Sequence, residues 1–163
     1  MPESNKILKL ARSSWKMKLY MLLHLPMAFI AGLKIVRIDE MGAEVSVPYK
    51  YLNKNPFRSM YFAVQAMAAE LSSGILALAE VENSGVAVSM LVLEMKASYL
   101  KKARTKIKFV CNDAVNIKKT IEKSIETAEG QTVDVVSQGF DKEGDMVAEF
   151  IFTWTFKPKT KHR

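Results

Sequence analysis

Apolar residues return at helical spacing through the first part of the chain: Ile7, Leu8, Leu10, Ala11, Trp15, Leu19, Leu22 and Leu23. A serine can cap free helical amides, so the pattern predicts a helix that begins after Ser4 and is ended or kinked by Pro26. From Leu33 to Tyr49 the period becomes strand-like. Ile35, Val36 and Ile38 precede a Met41-Gly42 turn, and Val45 and Val47 then alternate with Glu44, Ser46 and Pro48, which predicts a hairpin or bent strand pair. Asn53-Lys54-Asn55-Pro56 is a loop by composition, and a helix can begin just after it because a residue before proline is steered away from helical geometry.

The segment from roughly Phe57 to Glu82 predicts a second helix of a different kind. Between Met60 and Ala79 nearly every face is apolar, and such a helix must be buried on all sides. Ala63, Ala66, Ala68, Ala69, Ser72, Ser73 and Gly74 are small enough to let a sheet or a partner helix approach closely, and a curved sheet can wrap it. After Asn83-Ser84-Gly85 strands follow: Gly85 to Leu100 and Arg104 to Asn112, then Thr132 to Phe140 and Asp145 to Phe156 around the turn Asp141-Lys142-Glu143-Gly144. Between the two pairs Asp113 can cap a short helix carrying Ala114, Ile117, Ile121 and Ile125, which Gly130 would terminate. Consecutive strands with short turns imply an antiparallel sheet, so the fold class is α+β. Neither an internal repeat nor a glycine-spaced nucleotide-binding turn is found.

Length and composition support one domain spanning 1–163, with a helical segment over 1–32, a core over 33–156 and a basic tail over 157–163, expected to fray. A chain of 163 residues that is 49% hydrophobic can build a real core. The apolar stretch Leu19–Leu33 is too short and too interrupted by His24 and Pro26 for a membrane span, and no secretory cleavage site follows it. It is read as a helix docked on the domain. Its basic residues Lys6, Lys9, Arg12, Lys16 and Lys18 could lie on an anionic membrane, but such charge runs are usually a solvated outer face, and that is the expectation. A net charge of +7 favours polyanionic partners, a nucleotide-bearing cofactor, nucleic acid or a membrane surface among them. The single cysteine, Cys111, precludes an internal disulfide and suits a reducing compartment, so the cytoplasm is the expected location.

One carboxylate stands out. Glu70 sits in the apolar helix with Ala66, Met67, Ser73 and Gly74 one turn away, so the helix itself offers it no cation. Burial of an unpaired carboxylate is expensive, and a raised pKa or a partner from elsewhere is the usual relief. Both a functional role and a purely structural hydrogen-bonding role remain open for it. Other chemistry fits less well. Cys111 lies in an apolar strand, where a cysteine is a small hydrophobe. Ser59, Ser72 and Ser73 lack a strand-to-helix elbow and a histidine partner. His24 and His162 are too few and too far apart for a metal site. The aromatics near Lys50 and Lys54 are explained by core packing rather than by nucleic-acid binding.

The run from Asn53 to Gly74, N-K-N-P-F-R-S-M-Y-F-A-V-Q-A-M-A-A-E-L-S-S-G, and the strand-rich half ending M-V-A-E-F-I-F-T-W-T-F carry a resemblance over Leu33 to Phe156. This stretch is similar to hotdog-fold acyl-thioesterases, most closely the DUF4442 branch related to phenylacetic-acid-pathway thioesterases. The resemblance implies an antiparallel sheet wrapped around a long central helix, with the N-terminal helix as an addition. In such enzymes a loop asparagine precedes a His-Gly-Gly turn and a carboxylate lies two turns into the helix. Glu70 occupies the carboxylate position, Asn53 or Asn55 the asparagine, and Tyr61, Phe62 and Ala63 stand where the His-Gly-Gly would be.

The resemblance implies hydrolysis of an acyl-CoA or acyl-carrier thioester in a groove between two subunits. Phe62 N–H, with Ala63 N–H, would polarise the thioester carbonyl, Glu70 would act as general base or nucleophile, and Asn53 or Asn55 would orient water or carbonyl. Phe57, Arg58, Tyr61, Ala63 and Met67 would line the substrate site. Lys101, Lys102 and Arg104, within the cluster that runs on through Lys106 and Lys108, would meet the nucleotide phosphates, although protective lysines on a solvated strand edge explain that cluster too. No metal and no cofactor beyond CoA within the substrate is implied, and self-association as a homodimer or dimer of dimers is expected. The alternative is a non-catalytic hotdog module that binds acyl groups or acyl-CoA, its tunnel lined by Met60, Phe62, Met67 and Leu71.

Overall fold

The computed structural model describes residues 5–159, and its centre is a six-stranded antiparallel sheet. In chain order the strands are β1 (Lys34–Ile38), β2 (Ala43–Val47), β3 (Val88–Tyr99), β4 (Ile107–Cys111), β5 (Gln131–Phe140) and β6 (Met146–Pro158), and across the sheet they run β1-β2-β4-β5-β6-β3. Alternation along β5 and β6 sets the two faces. Val135, Ser137 and Gly139, with Ala148, Phe150, Phe152, Trp154 and Phe156, point into the core, while Asp134 and Thr153 pair on the outside, where the Thr153 hydroxyl donates to Asp134 at 2.6 Å.

Against the inner face lies α4 (Phe62–Ser84), packed on β2, β4 and β5, with α5 (Ala114–Thr127) beside it over β5 and β6. The small residues of α4 admit the sheet closely enough for side chains to bond directly. Ser72 and Ser137 hydroxyls lie 2.8 Å apart, and the Trp154 indole N–H donates to Ser73 Oγ at 3.0 Å. Though α4 is long and apolar enough to cross a bilayer, two-thirds of its apolar window is buried, as befits a core helix. This is the arrangement that the resemblance implies, a sheet around a long helix.

The start of that helix differs from the expected one near Phe57. Asn55 Oδ1 accepts from the amides of Phe57 (3.0 Å) and Ser59 (3.1 Å), and Lys54 forms a β-bridge with Met60. These bonds hold the chain out of helix until Tyr61, because an asparagine that satisfies nearby amides offers the backbone an alternative to helical bonding. The expected burial of α4 on all sides is also incomplete within one chain. Phe62 is exposed, and Ala63, Ala66, Met67 and Glu70 are half-buried, which at helical spacing forms one open stripe.

The N-terminal segment departs most from expectation. It forms three helices rather than one: α1 (Lys6–Arg12), α2 (Ser14–His24) and α3 (Pro26–Ala31). Ser13 is extended between the first two, and Pro26 opens the third, where its missing N–H costs nothing. The observed cap is Asn5, whose Oδ1 accepts from Leu8 N; Ser4 lies outside the described residues. Asn5 Nδ2 also donates to Ala79 O at 2.8 Å and Glu82 accepts from Ile7 N at 2.8 Å, so α1 is clamped to the far end of α4. The expected inward face is only partly inward. Leu8 and Ala11 are buried, but from α2 onward Met17, Met21, Ala28, Ala31 and Leu33 fill the core while Trp15, Leu19, Leu22 and Leu23 face out.

At the other end, β6 extends through Pro158 and Lys159 N donates to Ala87 O, so the first residues of the expected frayed tail belong to the sheet. Helix α5 likewise stops early, at Ala128 in a left-handed conformation (φ 57°), not at Gly130. Asp113 stands at its amino end but spends its carboxylate on Val136 N (2.8 Å) and Asn116 Nδ2 (3.0 Å).

Two substitutions test these backbone assignments by urea denaturation. Ala128→Gly relieves a β-carbon held at positive φ and raises stability by about 0.5–1 kcal/mol. Gly42→Ala places a Cβ 2.2 Å from Cys111 O and 3.0 Å from Asn112 Cα, backbone atoms that cannot step aside, and lowers stability by about 3 kcal/mol.

Candidate functional site

The amino end of α4 is built to present free amides. Tyr61 is extended (φ −61°, ψ 135°) and its own N–H is held by Asn53 O at 2.8 Å, while its carbonyl takes the first helical bonds from Val64 and Gln65. The next two amides, Phe62 and Ala63, have no acceptor among the described residues. They therefore point a partial positive charge outward, as helix amino termini do.

Beside them is a cleft of about 340 Å³ whose walls include Asn55, Phe62, Gln65, Tyr99, Lys101 and Lys102. Four of the residues singled out from sequence thus meet in one place. Asn55 shapes the wall, with its Oδ1 gathering Phe57 N, Ser59 N and the Ser59 hydroxyl. Phe62 is 54% exposed and meets Tyr61 edge-on with ring centroids 4.8 Å apart, so an exposed aromatic pair belongs to the same turn as the free amides. Burial raises the Tyr99 phenol above its ordinary pKa and keeps it protonated.

Asn53 is elsewhere. Fully buried, it donates from Nδ2 to Ala31 O (2.8 Å) and Pro48 O (2.7 Å), tying the end of α3 and the end of β2 to the approach to α4. Of the two asparagines, then, Asn55 faces the cleft and Asn53 supports it from behind. Lys101 lines the cleft, but its ammonium is held between Asp145 (2.6 Å) and Asp141 (2.9 Å). Those hydrogen bonds, Asp145 first, raise the Lys101 pKa, and Lys101 in turn lowers that of Asp141. This ammonium is therefore committed to the β5–β6 turn, and Lys108 pairs with Glu44, which leaves Lys102, Arg104 and Lys106 as the exposed cations of the cluster with no ion pair among the described residues; of these Lys102 lines the cleft. Phe57 and Arg58 are exposed on the preceding loop, Arg58 with a positive φ of 58°.

Glu70 does not line the cleft. Eight residues beyond Phe62 at about 1.5 Å per residue, it lies about 12 Å farther along α4, on the stripe that runs through Ala66 and Met67. Among the described residues no donor and no cation meets its carboxylate, and burial pushes its pKa above the usual carboxylate range. Gly74 makes the room: a Cβ there would lie 3.0 Å from Glu70 Oε1. Gln65 was not singled out from sequence. Its Nε2 donates to Met60 O at 3.3 Å, and its buried Oε1 has no hydrogen-bond partner among the described residues. The available signal was a lone amide in an apolar run, three residues after Phe62. Cys111 is fully buried and its thiol is pushed up to about 11, so it has no nucleophilic character.

Because its folded-state pKa is raised, the Glu70 carboxylate costs stability above the ordinary value of 4.5, increasingly so as pH rises through the folded pKa, and costs nothing once protonated in both states. Glu70→Gln is therefore more stable than wild type at about pH 8 and equal to it below about pH 4, as read from urea midpoints. A gain that is the same at both pH values would show that charge is not its cause.

The sequence matches the family described as a domain of unknown function, DUF4442, over residues 13–156. No curated protein matches it. Solved structures do. A protein of unknown function from Pseudomonas aeruginosa, described as a probable thioesterase, superposes with a TM-score of 0.76 at 19% identity, covering 90% of this chain and 97% of that one. A protein of unknown function from Chlorobaculum tepidum gives 0.79 at 14% identity, covering 97% and 100%. A thioesterase from Haemophilus influenzae gives 0.64 at 14%, covering 92% and 95%. At such identities the likeness carries architecture and not residue roles. By the sequence match and the shared architecture together, the chain belongs to the DUF4442 family and adopts the hotdog fold of thioesterases.

Proposed function

We propose that this protein hydrolyses acyl thioesters, acyl-CoA or an acyl-carrier thioester, at a site shared between two copies of the chain. The observation that carries the reading is the Glu70 carboxylate, without a partner among the described residues, raised in pKa and set on the open stripe of a helix whose first amides likewise have no acceptor among them. A thioester carbonyl bound at Phe62 and Ala63 N–H would have its developing oxyanion met by two fixed donors. Glu70 takes a proton from water as the water oxygen bonds to the carbonyl carbon. The C–S bond then breaks, the thiolate leaves and is protonated, and a carboxylic acid and a thiol result. A raised pKa suits the carboxylate to that task better than to pairing.

One α4 cannot bring both groups to one carbonyl, because about 12 Å of helix separates them. Two copies with antiparallel α4 helices face to face would set the amides of one against Glu70 of the other, and would also cover the open stripe. Strand β3 favours such an assembly. Among the described residues it is a sheet edge, paired with β6 alone, and presents Leu91, Leu93 and Met95 to solvent. Lys102 and Arg104 would hold the CoA phosphates beside the cleft.

The exposed aromatic pair Tyr61–Phe62 at the turn that carries the amides favours a second reading, a module that binds an acyl group without turnover. A panel of acyl-CoAs from acetyl to palmitoyl, including phenylacetyl, separates the two. Under the proposal wild type turns over at least one substrate, and Glu70→Gln lowers kcat by about 100-fold or more with an unchanged fold. Tight binding with no hydrolysis by wild type would establish the module instead.

A further inference from the structure

The outward face of α2 is the wrong way round for a solvated helix. With Met17 and Met21 directed into the core, Trp15, Leu19, Leu22 and Leu23 fall within about 60° of the opposite pole. They are exposed by 66%, 49%, 48% and 67%. The apolar surface continues over α3 through Met27 and Ile30. Lys16 and Lys18 stand on either side of the α2 stripe, with Lys16 Nζ 5.7 Å from the Trp15 ring.

Charge decides what could cover this face. From Asn5 to Ile38 there is no acidic residue, whereas Lys6, Lys9, Arg12, Lys16, Lys18, Lys34 and Arg37 are all cationic. Only Arg37 forms an ion pair among the described residues. A second copy laid on the same face would set the flanking Lys16 and Lys18 against their own kind. A polyanionic surface that also accepts apolar side chains satisfies both features, and that combination is a lipid interface. Tryptophan at the margin of an apolar stripe with flanking lysines is the distribution such an interface favours.

We propose that α2 and α3 dock the protein on an anionic membrane surface, with Trp15, Leu19, Leu22 and Leu23 inserted at headgroup depth and the neighbouring cations on lipid phosphates. The contact is peripheral, since α2 and α3 together are too short and too interrupted to span. It is independent of the thioesterase reading, because the patch involves neither the cleft nor Glu70. Docked in this way, the protein would lie against a surface from which long acyl chains partition.

Full-length protein is tested by co-sedimentation with vesicles of phosphatidylcholine alone and of equal parts phosphatidylcholine and phosphatidylglycerol. The expected result is binding to the anionic vesicles about ten-fold or more tighter than to the neutral ones, with a blue shift of Trp15 emission; Trp154, already buried, does not shift. The double variant L19E/L23E changes only exposed side chains and keeps the wild-type thermal unfolding, yet loses this binding by about ten-fold or more. K16E/K18E loses the preference for anionic lipid. Binding to neither vesicle, or binding unchanged in L19E/L23E, overturns the proposal. So does a smaller oligomer in L19E/L23E without vesicle binding by wild type, which would make the patch a contact between copies.

Discussion

A 23-residue helix that is apolar around most of its circumference has to be enclosed, and the rest of the molecule is arranged around that requirement. The inner face of the sheet encloses one side, and the small residues of α4 set how close it comes. Ser72 reaches Ser137, Ser73 receives the Trp154 indole, and a side chain at Gly74 would crowd the Glu70 carboxylate. Helices α1 and α5 cover further flanks. The stripe through Phe62, Ala66, Met67 and Glu70 is what a single chain leaves over, and every candidate site residue of α4 lies on it or at its head.

Electrostatics makes the same stripe chemically distinct. A carboxylate desolvated without a partner is a cost that packing could have avoided with glutamine or leucine, so its presence on an otherwise apolar face is the feature that most needs a purpose. Nearby charge is arranged so as not to relieve it. Of the two lysines on the cleft wall Lys101 is committed to Asp145 and Asp141, and the cleft and the free amides of Phe62 and Ala63 lie at the head of the helix, about 12 Å away along it. Under the proposed function a second helix running the other way would bring donor and carboxylate together without moving either. No residue of the N-terminal helices lines the cleft, so lipid docking and thioester chemistry would use different residues.

Much of the architecture was legible in the sequence because period and composition report burial directly. The switch from helical to alternating spacing near Leu33, the all-round apolar run and the Asp141–Gly144 turn all fall where the structure has them. What failed was decided by side-chain bonds or by which face meets the core, neither of which periodicity records. Asn55 delays α4 to Phe62 through an Asx turn, and Ser13 divides one expected helix. The stripe of Leu19, Leu22 and Leu23 has helical spacing whether it faces the core or the outside, so spacing alone put it inside. At the site, Glu70 was legible because a lone charge in an apolar helix is conspicuous. Asn53 and Asn55 could not be told apart, since only the fold turns one into the core and the other toward the cleft, and Gln65 was hidden by being uncharged.

The claim that the site is shared between two copies is tested most directly by complementation. Phe62→Pro removes the amide donor at a first helical position that tolerates proline, after a Tyr61 already extended. Glu70→Gln removes the base. Neither homomeric variant should hydrolyse thioesters, yet equal amounts unfolded together and refolded should recover about a quarter of wild-type activity, because half the dimers are mixed and one of their two sites is intact. Recovery to that level is the predicted result. A mixture as inactive as its components, from variants that fold and co-assemble, would show that both groups act from the same chain and would contradict the account.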